Sequence, residues 1–401
     1  MLLPSPEHRR LYPHRESEQI AQKVLRSERL RTAGLKLASG ALMASAFLGA
    51  NISIYASDVR ANQAIEAEAD IEINYMGEAL DPINNDKAIL FLTGFNTMNA
   101  DYLTQSIGKY VQSVADGKKY SGNYNNANLD PKMIGQTFIK TLEASGDNVK
   151  TVRIVTESAG NGIGLHAAEY IQEHSDLTID LFVMIAGPDG VETLVPARQE
   201  EIALVKQLAW IPGITYSTPL RYLVEMGFRS ENYDEGTPLE RAKNFITTSN
   251  IAIKAIGSHA LTSTQLMSEQ ALSVETADIE ASINNLDGHT TMVYLAIDKD
   301  TVVRTQEASE SIRGYAENNN IPYFKQTLPN AIHAMSGLSK KDYAKAFTNI
   351  KDEVQDSIAM GYFLDGLTNE NNLVSIDEDT QPDPVTDPLR AITQNMQPEE
   401  K

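Results

Sequence analysis

The chain reads as an α/β protein, a mostly parallel central sheet with helices on both faces. Two observations predict this. Apolar runs of strand length alternate with segments of helical period from about residue 65 to residue 366, and the runs KAILFLTGF (87–95) and IDLFVMIAG (179–187) are apolar almost throughout, as strands covered on both faces are. A third feature modifies the plan. Residues 191–287 are too long for a plain connection and are expected to form a helical cap insertion.

Residues 1–36 carry eight Lys and Arg against four Glu, which leaves −24 for the remainder of a chain whose formal charge is −20. From Leu37 to Ala56 twenty uncharged residues follow, LASGALMASAFLGANISIYA. As a helix at about 1.5 Å per residue they would span a hydrocarbon core roughly 30 Å thick. Residues 37–57 are therefore expected to be an N-terminal transmembrane signal-anchor helix, closed by Asp58 and Arg60. The basic segment 1–36 would stay in the cytoplasm and everything after residue 57 would lie outside it. An amphipathic or buried helix is one alternative, and a cleaved signal peptide that leaves the protein secreted is another. The long charged segment, with Leu48 or Ile54 two residues before Ala50 or Ala56 and so three back from the bond that would be cut, favours the uncleaved anchor. Ala41, Ser45 and Gly49 share a helix face and would let two such helices approach closely.

Beyond the anchor, ADIEINYM (69–76) alternates with period two and KAILFLTGF (87–95) is a buried strand. NADYLTQSIGK suggests a short helix, and YVQSVADG (110–117) a strand. Asp130-Pro131 provides a cap and first-turn pair for the helix PKMIGQTFIKTLEASG. The strand VKTVRIV (149–155) runs into TESAGNGIGLHAAEYIQEH, where small residues turn into a helix, and IDLFVMIAG (179–187) is the next strand. These elements make 65–190 the first part of the core. In the cap, EEIALVKQLAW, TPLRYLVEMGF and LERAKNFITTSNIAIKAIG have helical period. TMVYLAI (291–297), IPYFKQT (321–327) and the helix KKDYAKAFTNIKDEVQDSIAMGY complete the core over 288–366. Residues 367–401 are acidic, Asn-rich and broken by Pro, the composition of a disordered tail.

Composition excludes several chemistries. The net charge of −20 opposes phosphate backbones and anionic lipid headgroups, and the main body shows no concentrated basic patch, so nucleic acid is not an expected partner. With no cysteine there are no disulfides, thiolate nucleophiles or Cys-ligated metals. No H-E-x-x-H, EF-hand loop or P-loop occurs, and the G-x-G-x-G run at 160–164 lacks the dinucleotide spacing, so those glycines read as helix-packing residues. The acidic runs EAEAD (66–70) and DEDTQPD (377–383) read as solvated surface, and Trp210 as packing within the cap beside Leu204, Val205 and Leu208. No metal and no cofactor are expected, and the sequence does not define an oligomeric state.

Ser158, in Thr156-Glu157-Ser158-Ala159-Gly160, stands on a sharp strand-to-helix turn whose neighbours are small, the place of a nucleophile elbow. This segment resembles the nucleophile elbow of the α/β-hydrolase superfamily, and the resemblance in element order and motifs spans roughly residues 65 to 366. Thr156 departs from the first Gly of G-x-S-x-G. The resemblance implies a Ser, acid, His order, because an elbow serine needs a base and the base needs an orienting carboxylate. After TMVYLAI, Asp300 before Thr301-Val302-Val303 matches the family's acid best, with Asp298 and Asp189 of GPDG as alternatives. His333 in LPNAIHAMSG, after the last strand, matches its histidine; His289 and His259 are reserves, while His8, His14, His166 and His174 read as packing or surface.

The resemblance also implies an oxyanion hole formed by the backbone amides of Phe95, in Thr93-Gly94-Phe95-Asn96, and Ala159. Thr93 stands where the family usually has His, and Asn96 or Asn99 are candidate side-chain donors. The function so implied is a serine hydrolase of carboxylic ester, lipid ester or thioester bonds, acting on a small-molecule or lipid ester at a membrane. A non-catalytic binding or scaffold protein of the same fold, and an acyltransferase using the same three residues, are the alternatives.

Overall fold

The computed structural model describes residues 70–373, apart from 96, 125–128, 209, 210, 212, 228–232, 234–236, 258–263 and 287, and a few residues between 57 and 64. Seven strands form its sheet: β1 (Glu72–Gly77), β2 (Lys87–Leu92), β3 (Lys118–Asn123), β4 (Thr151–Glu157), β5 (Thr178–Ile185), β6 (Thr291–Ile297) and β7 (Tyr323–Leu328). Their spatial order is β1-β3-β2-β4-β5-β6-β7. β1 runs antiparallel to β3 at one edge, and every other neighbouring pair is parallel.

Side chains alternate across each strand, so the central strands feed two cores. Ala88, Leu90 and Leu92 of β2 join Ile134 and Phe138 of α2 (Pro131–Ser145), Ile163 of α3 (Gly160–His174), Ile283 of α8 (Ile279–Asn284) and Ile312 of α9 (Thr305–Asn318). Ile89 and Phe91 join Leu103, Ile107 and Val111 of α1 (Asp101–Val114) with Tyr343, Phe347 and Val354 of α10 (Lys340–Leu373) on the other face. This burial on both sides is why β2, β5 and β6 read as near-continuous apolar sequence. Asp130 caps α2 as expected, its carboxylate accepting from the Lys132 amide at 2.9 Å ahead of Pro131.

One strand expectation fails. YVQSVADG (110–117) is not a strand: α1 continues to Val114, because Val111 and Val114 extend the helical spacing of Leu103 and Ile107 into the core. The strand is instead KKYSGN, whose polarity conceals its burial. Lys118 Nζ donates to Asp147 at 2.5 Å and Lys119 Nζ to Gln112 Oε1 at 2.8 Å, so the apolar stems are covered while each amine keeps a partner.

Between β5 and β6 lie α4 (Pro196–Leu208), α5 (Thr218–Gly227), α6 (Pro238–Gly257) and α7 (Thr264–Thr276), followed by α8. The start of this segment is stitched to the loop after β6. Val195 N donates to Val302 O at 3.0 Å and Arg304 N to Thr193 O at 2.7 Å.

At the far end, α10 runs through residues 367–373, which the sequence reading assigns to the disordered tail. No proline stands between Lys340 and Leu373 to stop it. Residues 1–36, 374–401 and, apart from Ser57, the anchor expected at 37–57 lie outside the described residues. Among the described residues no helix is long and apolar enough to cross a membrane.

Candidate active site

β4 ends in Thr156-Glu157, and the chain then reverses into α3 through Ser158, whose φ is +58°. A non-glycine residue holds this left-handed conformation only where its surroundings enforce it. They do so here through both backbone groups: Ser158 N donates to Ile185 O of β5 at 2.9 Å, and Ser158 O accepts from Asn161 N at 3.1 Å.

The turn fits because its neighbours are small. A Cβ on Gly94 would lie 2.5 Å from Ala159 N and 2.6 Å from Gly160 N, and one on Gly160 would lie 3.0 Å from the Thr93 carbonyl. Thr156, the departure from the elbow pattern, is accommodated from the opposite side. A Cβ on Gly164 of α3 would come within 2.3 Å of the Thr156 methyl, so the glycine vacates the space that the threonine fills. The Thr156 hydroxyl lies within donating distance of Asn161 Oδ1 at 2.7 Å and Val183 O at 3.1 Å, so the buried oxygen is partnered.

The structure brings Ser158, His333 and Asp300 together. His333 Nε2 lies 2.8 Å from Ser158 Oγ, and His333 Nδ1 lies 2.7 Å from Asp300 Oδ2. An ionised Asp300 only accepts, so Nδ1 carries the proton and Nε2 is left to accept from the serine hydroxyl. Asp300 is fixed in turn, its Oδ1 accepting from the amides of Val302 at 2.7 Å and Val303 at 3.0 Å. The side chains of His333 and Asp300 are only 9% and 1% exposed. Ala334, directly after His333, adopts φ +55°, so a left-handed residue shapes the histidine loop as well.

The alternatives lie elsewhere. Asp298 is exposed, and Asp189 accepts from Tyr315 Oη at 3.2 Å, with burial raising its carboxyl to about 6. His289 precedes β6 beside Gly361, while His166 and His174 donate from Nδ1 to the carbonyls of Gly162 and Tyr170, one turn back in α3. His259, Asn96 and Trp210 lie outside the described residues. Asn99 accepts from the Asp101 amide at 3.2 Å and so opens α1.

Phe95 and Ala159 both border Ser158 on the wall of a chamber. The loop holding Phe95 is braced without the family's usual His. Tyr124 Oη donates to Thr93 O at 2.6 Å, Thr93 and Thr97 hydroxyls meet at 2.9 Å, and Thr97 Oγ1 donates to Gly94 O at 2.5 Å. From α7, Gln270 Nε2 donates to Thr97 O at 2.9 Å. The chamber is partly open to solvent, and its wall is almost wholly apolar. Leu194, Ile202, Val205, Ala271, Val274 and Val302 are half of its lining residues. Arg198 and Glu201 also border it, paired to one another at 2.7 Å.

Two features escaped the sequence reading. Glu157 is 3% exposed and burial raises its carboxyl to about 7, partly offset by His333; its Oε1 has no hydrogen-bond partner. The pairing of Thr156 with Gly164 joins residues whose signal was present only as one odd threonine and one extra glycine. Among the described residues no group of His, Asp and Glu is arranged to hold a metal ion.

A mostly parallel seven-stranded sheet, an elbow serine at the carboxyl end of β4, and the chain order Ser, Asp, His decide the fold. The chain has the α/β-hydrolase fold. No protein-family model and no curated protein matches its sequence. Solved structures similar to it include a highly thermostable carboxyl esterase from Bacillus coagulans in complex with glycerol, at 13% identity and a TM-score of 0.45, covering 74% of this chain and 98% of that one. A haloalkane dehalogenase from Agrobacterium tumefaciens C58 follows at 12% and 0.45, covering 71% and 94%. A bromoperoxidase from Bacillus anthracis stands at 14% and 0.44, covering 71% and 96%. Likenesses of this size carry no argument about chemistry, and within the α/β-hydrolase fold activity is read from the site itself.

Proposed function

We propose that the protein is a serine hydrolase of esters with an apolar acyl group. The observation that supports this reading most directly is the hydrogen-bonded chain from Ser158 through His333 to Asp300, placed at the wall of an apolar chamber. In this mechanism His333 Nε2 removes the hydroxyl proton as Ser158 Oγ attacks the ester carbonyl. Asp300 holds the tautomer and stabilises the imidazolium that forms. The amides of Phe95 and Ala159 receive the developing oxyanion. His333 then returns the proton to the leaving alcohol or thiol, and water repeats the sequence on the acyl-enzyme.

The chamber supports carboxylic, lipid or thioester substrates whose acyl chain is hydrocarbon. Arg198 and Glu201 at that wall pair through Nη1 at 2.7 and 2.9 Å, so together they bring it no net charge. The reading includes attachment through the segment 37–57, with the basic N-terminus in the cytoplasm and the catalytic part outside it; a reporter fused after residue 60 that stays cytoplasmic would overturn that orientation.

Labelling of the full chain with a fluorophosphonate probe tests the chemistry. Labelling that is lost in Ser158→Ala and nearly lost in His333→Ala is the expected result. A well-folded wild-type chain that does not react would favour the non-catalytic binding protein instead.

A further inference from the structure

Three carbonyls of the loop that carries the Phe95 amide each accept from a side chain, and one of those side chains comes from a helix between β5 and β6. Tyr124 Oη, directly after β3, donates to Thr93 O at 2.6 Å, and Thr97 Oγ1 donates to Gly94 O at 2.5 Å. Thr97 O itself accepts from Gln270 Nε2 of α7 at 2.9 Å. The Thr97 hydroxyl proton is committed to Gly94 O, so in the 2.9 Å contact between the Thr93 and Thr97 hydroxyls Thr93 is the donor. The bond to Gly94 O has a directional consequence. A trans peptide is planar with its O and H on opposite sides, so the direction of Gly94 O fixes the direction of the Phe95 N–H. Donation to that carbonyl also polarises the peptide and strengthens the N–H as a donor.

Gln270 is an unexpected residue at that place. α7 buries Leu266, Met267, Ala271 and Val274, and Ala271 and Val274 border the chamber together with Phe95 and Ser158. A side-chain amide among such neighbours costs free energy unless it is bonded, and Gln270 is fully buried. The bond to Thr97 O meets that need. Beside it, Glu269 Oε2 accepts from the Leu129 amide at 2.6 Å. Directly after the helix, Ala277 packs so closely on α3 that a Cβ on Gly162 would lie 2.8 Å from its methyl. α7 is thus seated on the loops after β2 and β3 and on the helix that follows Ser158. One helix therefore borders the space for the acyl group and braces the loop whose amide receives the oxyanion.

We propose that Gln270 and Thr97 are positioning residues for the oxyanion: Gln270 holds the backbone of Thr97, the Thr97 hydroxyl holds Gly94 O, and the Phe95 amide is thereby aimed at the carbonyl that Ser158 attacks. The proposal deepens the hydrolase reading and rests on it. On this account α7 contributes to the rate of acyl transfer as well as to the shape of the chamber.

Thr97→Val keeps the shape and removes the hydroxyl, and Gln270→Met keeps the reach and removes the donor. In the full chain, with a 4-nitrophenyl ester as substrate, each should lower kcat about tenfold or more at an unchanged KM. An oxyanion donor acts in the transition state alone, and losing one outright costs about 10²–10³ in kcat. Thr97→Ser should restore most of what Thr97→Val loses. An alkyl trifluoromethyl ketone, whose adduct with Ser158 carries its oxyanion at the same amides, should bind more weakly by the factor that kcat/KM falls. Rates are taken per site titrated with the fluorophosphonate, so an unfolded fraction does not enter them. If Gln270→Met does not fold, Gln270→Glu carries the same expectation, since an ionised carboxylate only accepts. Loss of packing alone gives a different pattern, because α7 borders the chamber: KM rises while kcat holds, and ester and ketone weaken alike. That pattern would overturn the proposal, as would kcat and ketone affinity at the wild-type level in both variants. A wild-type chain that neither cleaves the ester nor takes the fluorophosphonate would remove the hydrolase reading, and the proposal with it.

Discussion

The methyl group of Thr156 occupies the space that a side chain on Gly164 would need. A Cβ on that glycine would stand 2.3 Å from Thr156 Cγ2 and 3.2 Å from Phe182 Cζ, in a region where Thr156 and Phe182 are fully buried. Gly164→Ala should therefore destabilise the protein by about 1–3 kcal/mol through overpacking. Thr156→Ser keeps the hydroxyl bonds to Asn161 and Val183 and removes the methyl, so the double variant should recover most of that loss. Denaturant unfolding of the four proteins measures the coupling; additive effects would show that the two residues do not share this space.

Asp300 and Asp298 separate cleanly as candidates for the orienting acid. Asp300 Oδ2 meets His333 Nδ1 at 2.7 Å, whereas Asp298 is exposed. Asp300→Asn should lower kcat about 10³–10⁴-fold, since an amide there favours the wrong histidine tautomer. Asp298→Asn should leave kcat unchanged. Steady-state kinetics on a soluble ester decides the matter, and the opposite ranking would move the acid to Asp298.

The elements that bury apolar side chains on a regular period were legible in the sequence, and those stabilised by polar burial were not. β2, β5 and β6 announce themselves because two cores cover them. β3 does not, because Lys118 and Lys119 are polar in type and become coverable only through partners at their tips, Asp147 and Gln112. Val111 and Val114 look like strand residues in isolation and become helical only when counted with Leu103 and Ile107. At the site, Ser158, Asp300 and His333 were legible as residue types in a fixed chain order. Chain order alone could not choose among Asp189, Asp298 and Asp300, since that choice depends on where two loops meet. Thr156 looked like a defect in the elbow until its partner Gly164 was in view.

Glu157 gives stability a particular pH dependence. Burial raises its carboxyl from 4.5 to about 7, so between those values the folded protein binds more protons than the unfolded chain. Its contribution is fully present below about pH 4.5 and is lost as pH rises through about 7, a swing of up to about 3 kcal/mol. Glu157→Gln cannot ionise and should remove this component. The variant should gain stability relative to wild type between pH 5 and pH 8, as read by denaturant unfolding at each pH. A difference between the two proteins that stays flat with pH would show that Glu157 ionises in the fold as freely as in the unfolded chain.

The chamber beside Ser158 sets an expectation for acyl-chain length. Its wall is almost entirely apolar, so each methylene moved from water into it contributes about 0.8 kcal/mol, roughly a fourfold gain in kcat/KM per added carbon until the space is filled. Val205 and Val274 face that space from α4 and α7 and are 1% and 8% exposed. Enlarging either, as Val205→Phe or Val274→Phe, should shorten the preferred chain. Activity on acetyl esters should persist while activity on longer esters falls about tenfold or more, the cost of expelling two or three methylenes. A series of 4-nitrophenyl esters of increasing length, measured on wild type and both variants, checks this. If both variants lower acetyl and long-chain activity by the same factor, the acyl chain lies outside the chamber and the apolar wall serves packing instead.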